Sequence, residues 1–284
     1  MHIYKSGRIY SRFPHFECIL GNQFKPFPQV YFLMQIQKDY IIFQQFIDKY
    51  IDQGFKNINR DDPFMLRMES TLRNRKQFFY IGDLIHIRII FTSKMSEEMI
   101  GIEPENLEPG SLYKATHPTD LHRMNLSRLR LFKTGTELLE EKNGPVFYSI
   151  PFNLIGKDGK PLHTLFQGYI FYSKVPYETV FVLFVHTDIS DLQIPKHLYH
   201  HYIGNDASVF RVPDESLLDT GYTFSDREFE ILQLLAHGMD SDKIAEKLFL
   251  STHTVNTHRR NLLKKTNKSF THELVIELME KGIL

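Results

Sequence analysis

The run Val180-Phe181-Val182-Leu183-Phe184-Val185 is apolar on both faces, and it constrains the fold of this chain more than any other stretch. A strand with no polar side belongs in the middle of a sheet, since an edge or half-exposed strand alternates. Two neighbours of the right texture precede it. Phe147–Leu154 and Leu162–Tyr172 flank Gly156-Lys157-Asp158-Gly159, a compact hairpin signal, and the third strand spans Thr179–Thr187. Upstream, Phe78–Ile81 and His86–Phe91 read as two more strands, with Gly82-Asp83 as the turn between them. Short helices or turns fit Ser96–Ile100 and Glu103–Leu107, and a polar helix fits Pro118–Lys133. Before the sheet, Phe32, Ile36, Phe43, Ile47, Tyr50 and Ile51 recur at helical spacing within Val30–Phe55, and Gly54 is a stop. Asp62 and Pro63 open another helix through Leu66, Met68 and Leu72.

From Phe224 onward the strand texture is gone. Ser225 and Glu228 have the spacing of a capping box, and Phe229, Leu232, Leu235 and Ala236 make an apolar stripe that ends at Gly238. Asp240 caps a second helix carrying Ile244, Ala245 and Leu248, and Ser251 caps a third from Thr252 to about Lys265. Helix, short turn and capped helix form the helix-turn-helix pattern. A last helix, about Thr271–Lys281, carries Leu274, Val275, Leu278 and Met279.

Charge gives the third helix its meaning. The chain holds 34 Lys+Arg against 34 Asp+Glu, so it has no general affinity for phosphate. Residues 222–284 also balance, nine against nine, yet Ser251–Lys268 contains Arg259, Arg260, Lys264, Lys265 and Lys268 and no acid. One helix can therefore release counterions from a nucleic acid while acids elsewhere keep the domain as a whole neutral. Val255, Leu262 and Thr266 fall on one side, with Arg259 at its edge. Asn256, Thr257, Arg260 and Lys264 fall on the other. An Asn amide can pair with adenine and an Arg fork with guanine in the major groove. Ser251, His253 and Thr254 sit at the helix N-terminus, where backbone amides favour a phosphate.

Phe224–Glu228, Ala236–Gly238, Lys243–Leu248, Ser251–His258 and Asn261–Lys265 together resemble the LuxR/GerE-type helix-turn-helix family. The resemblance implies double-stranded DNA as partner, with the third helix in the major groove and the fourth pairing two protomers. It implies Asn256, Thr257 and Arg260 as base-reading positions and Thr254, Arg259 and Lys264 as backbone contacts. It makes Leu274, Val275, Leu278 and Met279 the candidate homodimer contact. Three positions depart from the family pattern: Asn256 stands for its usual Lys, Lys243 for a Glu and Thr266 for a Leu.

Met99–Leu107, His117–Leu121, Gly156–Gly159 and Asp188–Asp191, in that order, resemble a PAS domain. That resemblance implies a curved sheet beneath helices, with a small molecule or a protein partner between them. The fold class expected is α+β: a PAS-like antiparallel sheet with flanking helices, plus a separate all-α four-helix domain. The division is a helical extension over 1–77, a sensor domain over 78–191, a linker over 192–222 with one helix near Lys196–Tyr202, and the DNA-binding domain over 223–284.

Other chemistry finds little support. Cys18, the one cysteine, forms no internal disulfide, and four-cysteine zinc sites are excluded. His197, His200 and His201 would share a helix face and could bind a metal, but no His-Glu-x-x-His accompanies them. His117 is a cap and turn residue before it is a haem ligand. No Walker loop, dinucleotide fingerprint or nucleophile elbow occurs, so no enzyme, catalytic residue or resident cofactor is expected. Neither a leader nor a membrane span is expected, which places the protein in the cytoplasm. The function expected is a sequence-specific transcription regulator with a PAS-like input. The alternative is a protein-interaction adaptor using helix 30–55 and the sheet.

Overall fold

The computed structural model describes residues 41–141, 146–173, 178–192, 198–218, 222–281 and 283–284. Its centre is a six-stranded antiparallel sheet of β1 (Gln77–Asp83), β2 (Arg88–Thr92), β3 (Val146–Ile155), β4 (Pro161–Tyr172), β5 (Val180–Asp188) and β7 (Tyr202–Gly204). Their order across the sheet is β2-β1-β5-β4-β3-β7. The doubly apolar strand β5 lies between β1 and β4, and Val180, Val182 and Leu183 have no exposed surface. Its alternation sends Val182, Phe184 and His186 to one face and Phe181, Leu183 and Val185 to the other.

Helices cover both faces. α1 (residues 41–50) buries Phe43, Phe46, Ile47 and Tyr50 and meets Phe79 of β1 edge-on through Phe43 and Phe46. The stripe considered as an adaptor seam is thus spent in the core at Phe43 and Ile47, while Phe32 and Ile36 lie outside the described residues. α2 (Pro63–Asn74) starts where Asp62 accepts the Phe64 amide proton, and it buries Met65, Met68 and Leu72 in the same core. The two helices are therefore one body with the sheet. α3 (Met95–Ile100) packs on β1 and α2, while α4 (Pro109–Ala115) and the long α5 (Leu121–Glu141) lie over the face that carries Val182 and Phe184. His117 caps the turn before α5, where its Nδ1 meets the Thr119 hydroxyl at 2.8 Å. A sheet with helices packed on it, followed by a helical C-terminal domain, is the α+β class expected.

Three expectations need correction. Gly82-Asp83 is not a turn: both residues continue β1 past a bulge, and the chain reverses at residues 84–87. The segment 192–222 is not a bare connection. β7 extends the sheet beside β3, Phe210 enters the main core, and α6 (Glu215–Leu218) packs Leu217 and Leu218 against Leu165 and Ile189. No helix forms at 198–202. β6 (Leu198–Tyr199) pairs with β8 (Tyr222–Thr223) in place of a helix, and His197 lies outside the described residues. His200 is buried against the Ser149 hydroxyl at 3.0 Å, and His201 meets the Tyr148 ring edge-on. Among the described residues no three metal-binding side chains cluster, and no helix is long and apolar enough to cross a membrane.

Candidate nucleic-acid interface

The C-terminal domain is four helices around one apolar cluster: α7 (Asp226–Ala236), α8 (Ser241–Leu248), α9 (Thr252–Thr266) and α10 (Thr271–Glu280). Side-chain caps open the first three. Ser225 Oγ accepts the Glu228 amide proton at 3.2 Å while Glu228 accepts that of Ser225 at 2.8 Å, completing the capping box. Asp240 caps α8 through the Lys243 amide at 2.9 Å, and Ser251 caps α9 through the Thr254 amide at 3.1 Å. Between α8 and α9 the chain turns at Phe249, which adopts φ 55° and is 95% exposed.

α9 then divides as its sequence divides. Val255, Leu262 and Thr266 face the core with Ile231, Ile244, Leu274 and Leu278. His253, Asn256, Arg260 and Lys264 are exposed, and Thr254, Thr257 and Arg259 are half-buried beside them. Ser251 and Thr254 also join through their hydroxyls at 2.8 Å, and Thr257 donates to the His253 carbonyl at 3.0 Å. All eight residues expected at the DNA surface therefore lie on one continuous side of α9 or at its cap.

The five basic residues do not act alike. Lys265 reaches back to Glu228 at 2.7 Å, and Lys268 reaches Glu277 at 2.6 Å. Burial alone would raise both carboxyls. The Lys265 ammonium and the Ser225 amide outweigh it at Glu228, and Lys268 and Lys281 do so at Glu277, so both acids lie below their ordinary range. Arg259 donates to Ser241 Oγ at 2.6 Å and to Thr271 Oγ1 at 3.4 Å, which ties α9 to α8 and α10. Only Arg260 and Lys264 of the five make no ion pair or hydrogen bond among the described residues.

Sequence reasoning missed Ser241. Its hydroxyl contacts Asn256 Oδ1 at 2.8 Å as well as Arg259, and the neighbouring Asp242 accepts the Thr252 hydroxyl proton at 2.8 Å. The signal for this was a polar Asp-Ser-Asp at the start of α8, read only for its cap. Three of the four residues expected at the dimer contact lie in the domain's own core. Leu274 and Leu278 have no exposed surface and Val275 belongs to the same cluster, because four short helices need that stripe to close their own core. Met279 is exposed, together with Ile276.

A cavity of about 630 Å³, counting its open mouth, lies between the sheet and α5. Its walls are apolar, with Leu112, Met124, Leu131, Phe166 and Phe184 among them. They include the buried Tyr148, and Ser127 and Arg128 from α5. Other residues of α5 reach the C-terminal domain. Arg130 donates to the Glu280 carbonyl, and the Arg123 guanidinium lies 5.3 Å from the Tyr199 ring centre. Tyr199 stacks in turn on Phe229 of α7 at 5.3 Å.

Known proteins match the C-terminal domain. The GerE family model, bacterial regulatory proteins of the luxR family, covers residues 222–277. The transcriptional regulatory protein YxjL of Bacillus subtilis is 41% identical over 61 residues, 22% of this chain and 28% of its own length. The virulence-factor transcription regulator BvgA of Bordetella pertussis is 37% identical over 79 residues, 27% of this chain and 38% of its own. This chain thus spans well under half the length of these curated relatives. A Vibrio cholerae VqmA dimer solved without target DNA aligns with 77% of this chain and 88% of its own, at 15% identity and TM-score 0.36. A PAS domain from Colwellia psychrerythraea aligns with 45% of this chain and 98% of its own, at 16% identity and TM-score 0.31. Capped helices, an α9 with one buried and one open side, and the family match agree: the C-terminal domain of this chain is a luxR-family helix-turn-helix domain.

Proposed function

We propose that the protein is a cytoplasmic, non-enzymatic transcription regulator that binds duplex DNA through α9 as a homodimer. One observation carries this: the open side of α9 presents Arg260 and Lys264 without an ion pair or hydrogen bond among the described residues, while the acids of the domain lie elsewhere or are neutralised by Lys265, Lys268 and Lys281. Unpaired cations beside exposed amide and hydroxyl side chains supply phosphate attraction and base-edge hydrogen bonds on one surface. Asn256, Thr257 and Arg260 read bases; Ser251, His253, Thr254, Arg259 and Lys264 hold the backbone. Ile276 and Met279 of α10, rather than the buried Leu274, Val275 and Leu278, meet the second protomer.

The PAS-like domain, with the cavity beneath α5, is the input. Met124, Ser127 and Leu131 of α5 face the cavity, while Arg123 and Arg130 of the same helix contact Tyr199 and Glu280. A small molecule seated there moves a helix that already touches the DNA-binding domain, which gives the signal a physical route. The test is a mobility-shift titration of the full chain against promoter-region duplexes. Sequence-selective retardation that Arg260→Ala weakens supports the reading; equally weak, unselective binding by both proteins overturns it.

A further inference from the structure

We infer that Ser241 is a specificity-determining positioning residue: it fixes which end of the Asn256 amide faces DNA and so selects a base edge that accepts hydrogen bonds. The inference rests on the DNA-binding reading above. It starts from a polar chain linking α8 and α9. Arg259 Nη1 stands 2.6 Å from Ser241 Oγ, and Ser241 Oγ stands 2.8 Å from Asn256 Oδ1. A guanidinium can only donate, so it takes a lone pair of the serine oxygen. The single serine proton then points to the remaining neighbour, an amide oxygen that can only accept.

This direction has a consequence at the surface. Asn256 is exposed, and its Oδ1 is turned back to the start of α8. Among the described residues its Nδ2 makes no hydrogen bond, so the amide offers two N–H donors and a carbonyl already engaged. Adenine in the major groove shows one acceptor and one donor, and pairing both needs the amide oxygen and nitrogen together. Guanine shows two adjacent acceptors, and thymine shows one acceptor beside its methyl group. An outward Nδ2 therefore fits the acceptor edge of guanine or thymine. The adenine pairing considered from sequence alone treated the amide as free to choose its orientation.

Charge reinforces the arrangement. The Arg259 cation polarises the serine hydroxyl, and hydrogen bonds in such chains strengthen one another. Arg259 is held by Thr271 as well, so its position does not depend on DNA. Thr252, one turn before Asn256, is clamped to Asp242 at 2.8 Å, which fixes the α8–α9 spacing that the chain requires. Ser241 is only half-buried and sits at the first position of α8, where Asp240 and not Ser241 supplies the cap. Removing its hydroxyl leaves that cap and the apolar core in place.

The experiment selects binding sites from a randomised duplex DNA pool with the full-length wild type, Asn256→Ala, Ser241→Ala and Ser241→Thr. Folding is checked by thermal melting of each protein. The base position whose preference disappears in Asn256→Ala is the one read by this side chain. The wild type is expected to prefer guanine or thymine there by about tenfold. Ser241→Ala should lower that preference to below about threefold and admit adenine, with preferences at other positions unchanged. Ser241→Thr, which keeps the hydroxyl, should restore it. Should Ser241→Ala keep the wild-type preference, or should the wild type select adenine there, the positioning role is wrong although DNA recognition stands. If the wild type enriches no sequence at all, the DNA-binding reading fails and the inference falls with it.

Discussion

Lys265 should matter for folding and not for DNA, although a charge count places it with Arg260 and Lys264. In the structure its ammonium is 2.7 Å from Glu228, whose side chain is 5% exposed and already closes the capping box of α7. Lys265→Ala leaves that carboxylate with its contacts to Ser225 and no cation. A hydrogen bond to a charged, buried group contributes about 1.5–3 kcal/mol. Lys265 itself is 48% exposed, so water screens the pair and the expected loss is about 1–2 kcal/mol. The chain has two packed bodies and need not unfold in one step, so hydrogen exchange of α7 and α9 amides is the measure of choice. Protection there should fall by about a factor of 5–30 in Lys265→Ala and stay unchanged in the sheet. The pH dependence follows from the depressed Glu228 carboxyl. Its contribution is present above the ordinary carboxylate range and is lost as pH falls through the folded value. In Lys265→Ala that acid-sensitive part shrinks. DNA affinity, measured well below the unfolding transition, should change less than in Lys264→Ala. Unaltered exchange together with a loss of DNA affinity equal to that of Lys264→Ala would refute the division of the basic residues made here.

Other outcomes test the remaining parts. Arg260→Ala should cost about 1–3 kcal/mol at one base position, while Lys264→Ala should weaken all sequences and reduce the salt slope by about one, both measured by titration at several salt concentrations. Gly168→Ala places a methyl carbon 2.7 Å from the Phe184 ring in the cavity wall, and thermal melting should show a loss of about 1–3 kcal/mol. Burial pushes His186 down to about 3 and His200 to about 4. Both are neutral when folded and protonate on unfolding, so stability should decline as pH falls below the ordinary histidine range, 6.5, towards these values. His186→Phe, in a cage of Phe78, Tyr80 and Phe166, should flatten that decline in melts taken at about pH 7 and about pH 5. Ile276→Glu combined with Met279→Glu should yield a monomer by sedimentation where the wild type is a dimer; an unchanged mass would place the dimer contact elsewhere.

What the sequence made legible is what local chemistry decides. Ser225 with Glu228, Asp240 and Ser251 announce three helices because a cap is written within four residues. β5 announces its place because no solvent-facing strand can be apolar on both sides. The reversal between β1 and β2 was misplaced because residues 84–87, Leu-Ile-His-Ile, carry no turn-forming residue. The buried Leu84 anchors the loop and Asp83, at the end of β1, accepts the His86 amide proton at 3.1 Å, while the exposed Ile87 takes φ 51°, so contacts made by the folded chain place the reversal. β7 has the same cause. Three residues cannot announce a strand; their pairing with β3, over fifty positions away, creates it.

The candidate site shows the limit more sharply. Composition counts charges, but a charge attracts DNA only if nothing nearer holds it. Glu228 and Glu277 lie outside the acid-free segment in sequence, and the four-helix packing returns them to Lys265 and Lys268. The unpaired charge on α9 is therefore smaller than the segment suggests, and it is concentrated at Arg260 and Lys264. The same packing gives Asn256 a serine neighbour from another helix, which changes its chemistry from an amide with two usable ends to a donor held in one direction. Selectivity in such a domain depends on the residues that restrain α9 from α7, α8 and α10 as much as on α9 itself. A substitution in those helices can alter recognition without touching DNA.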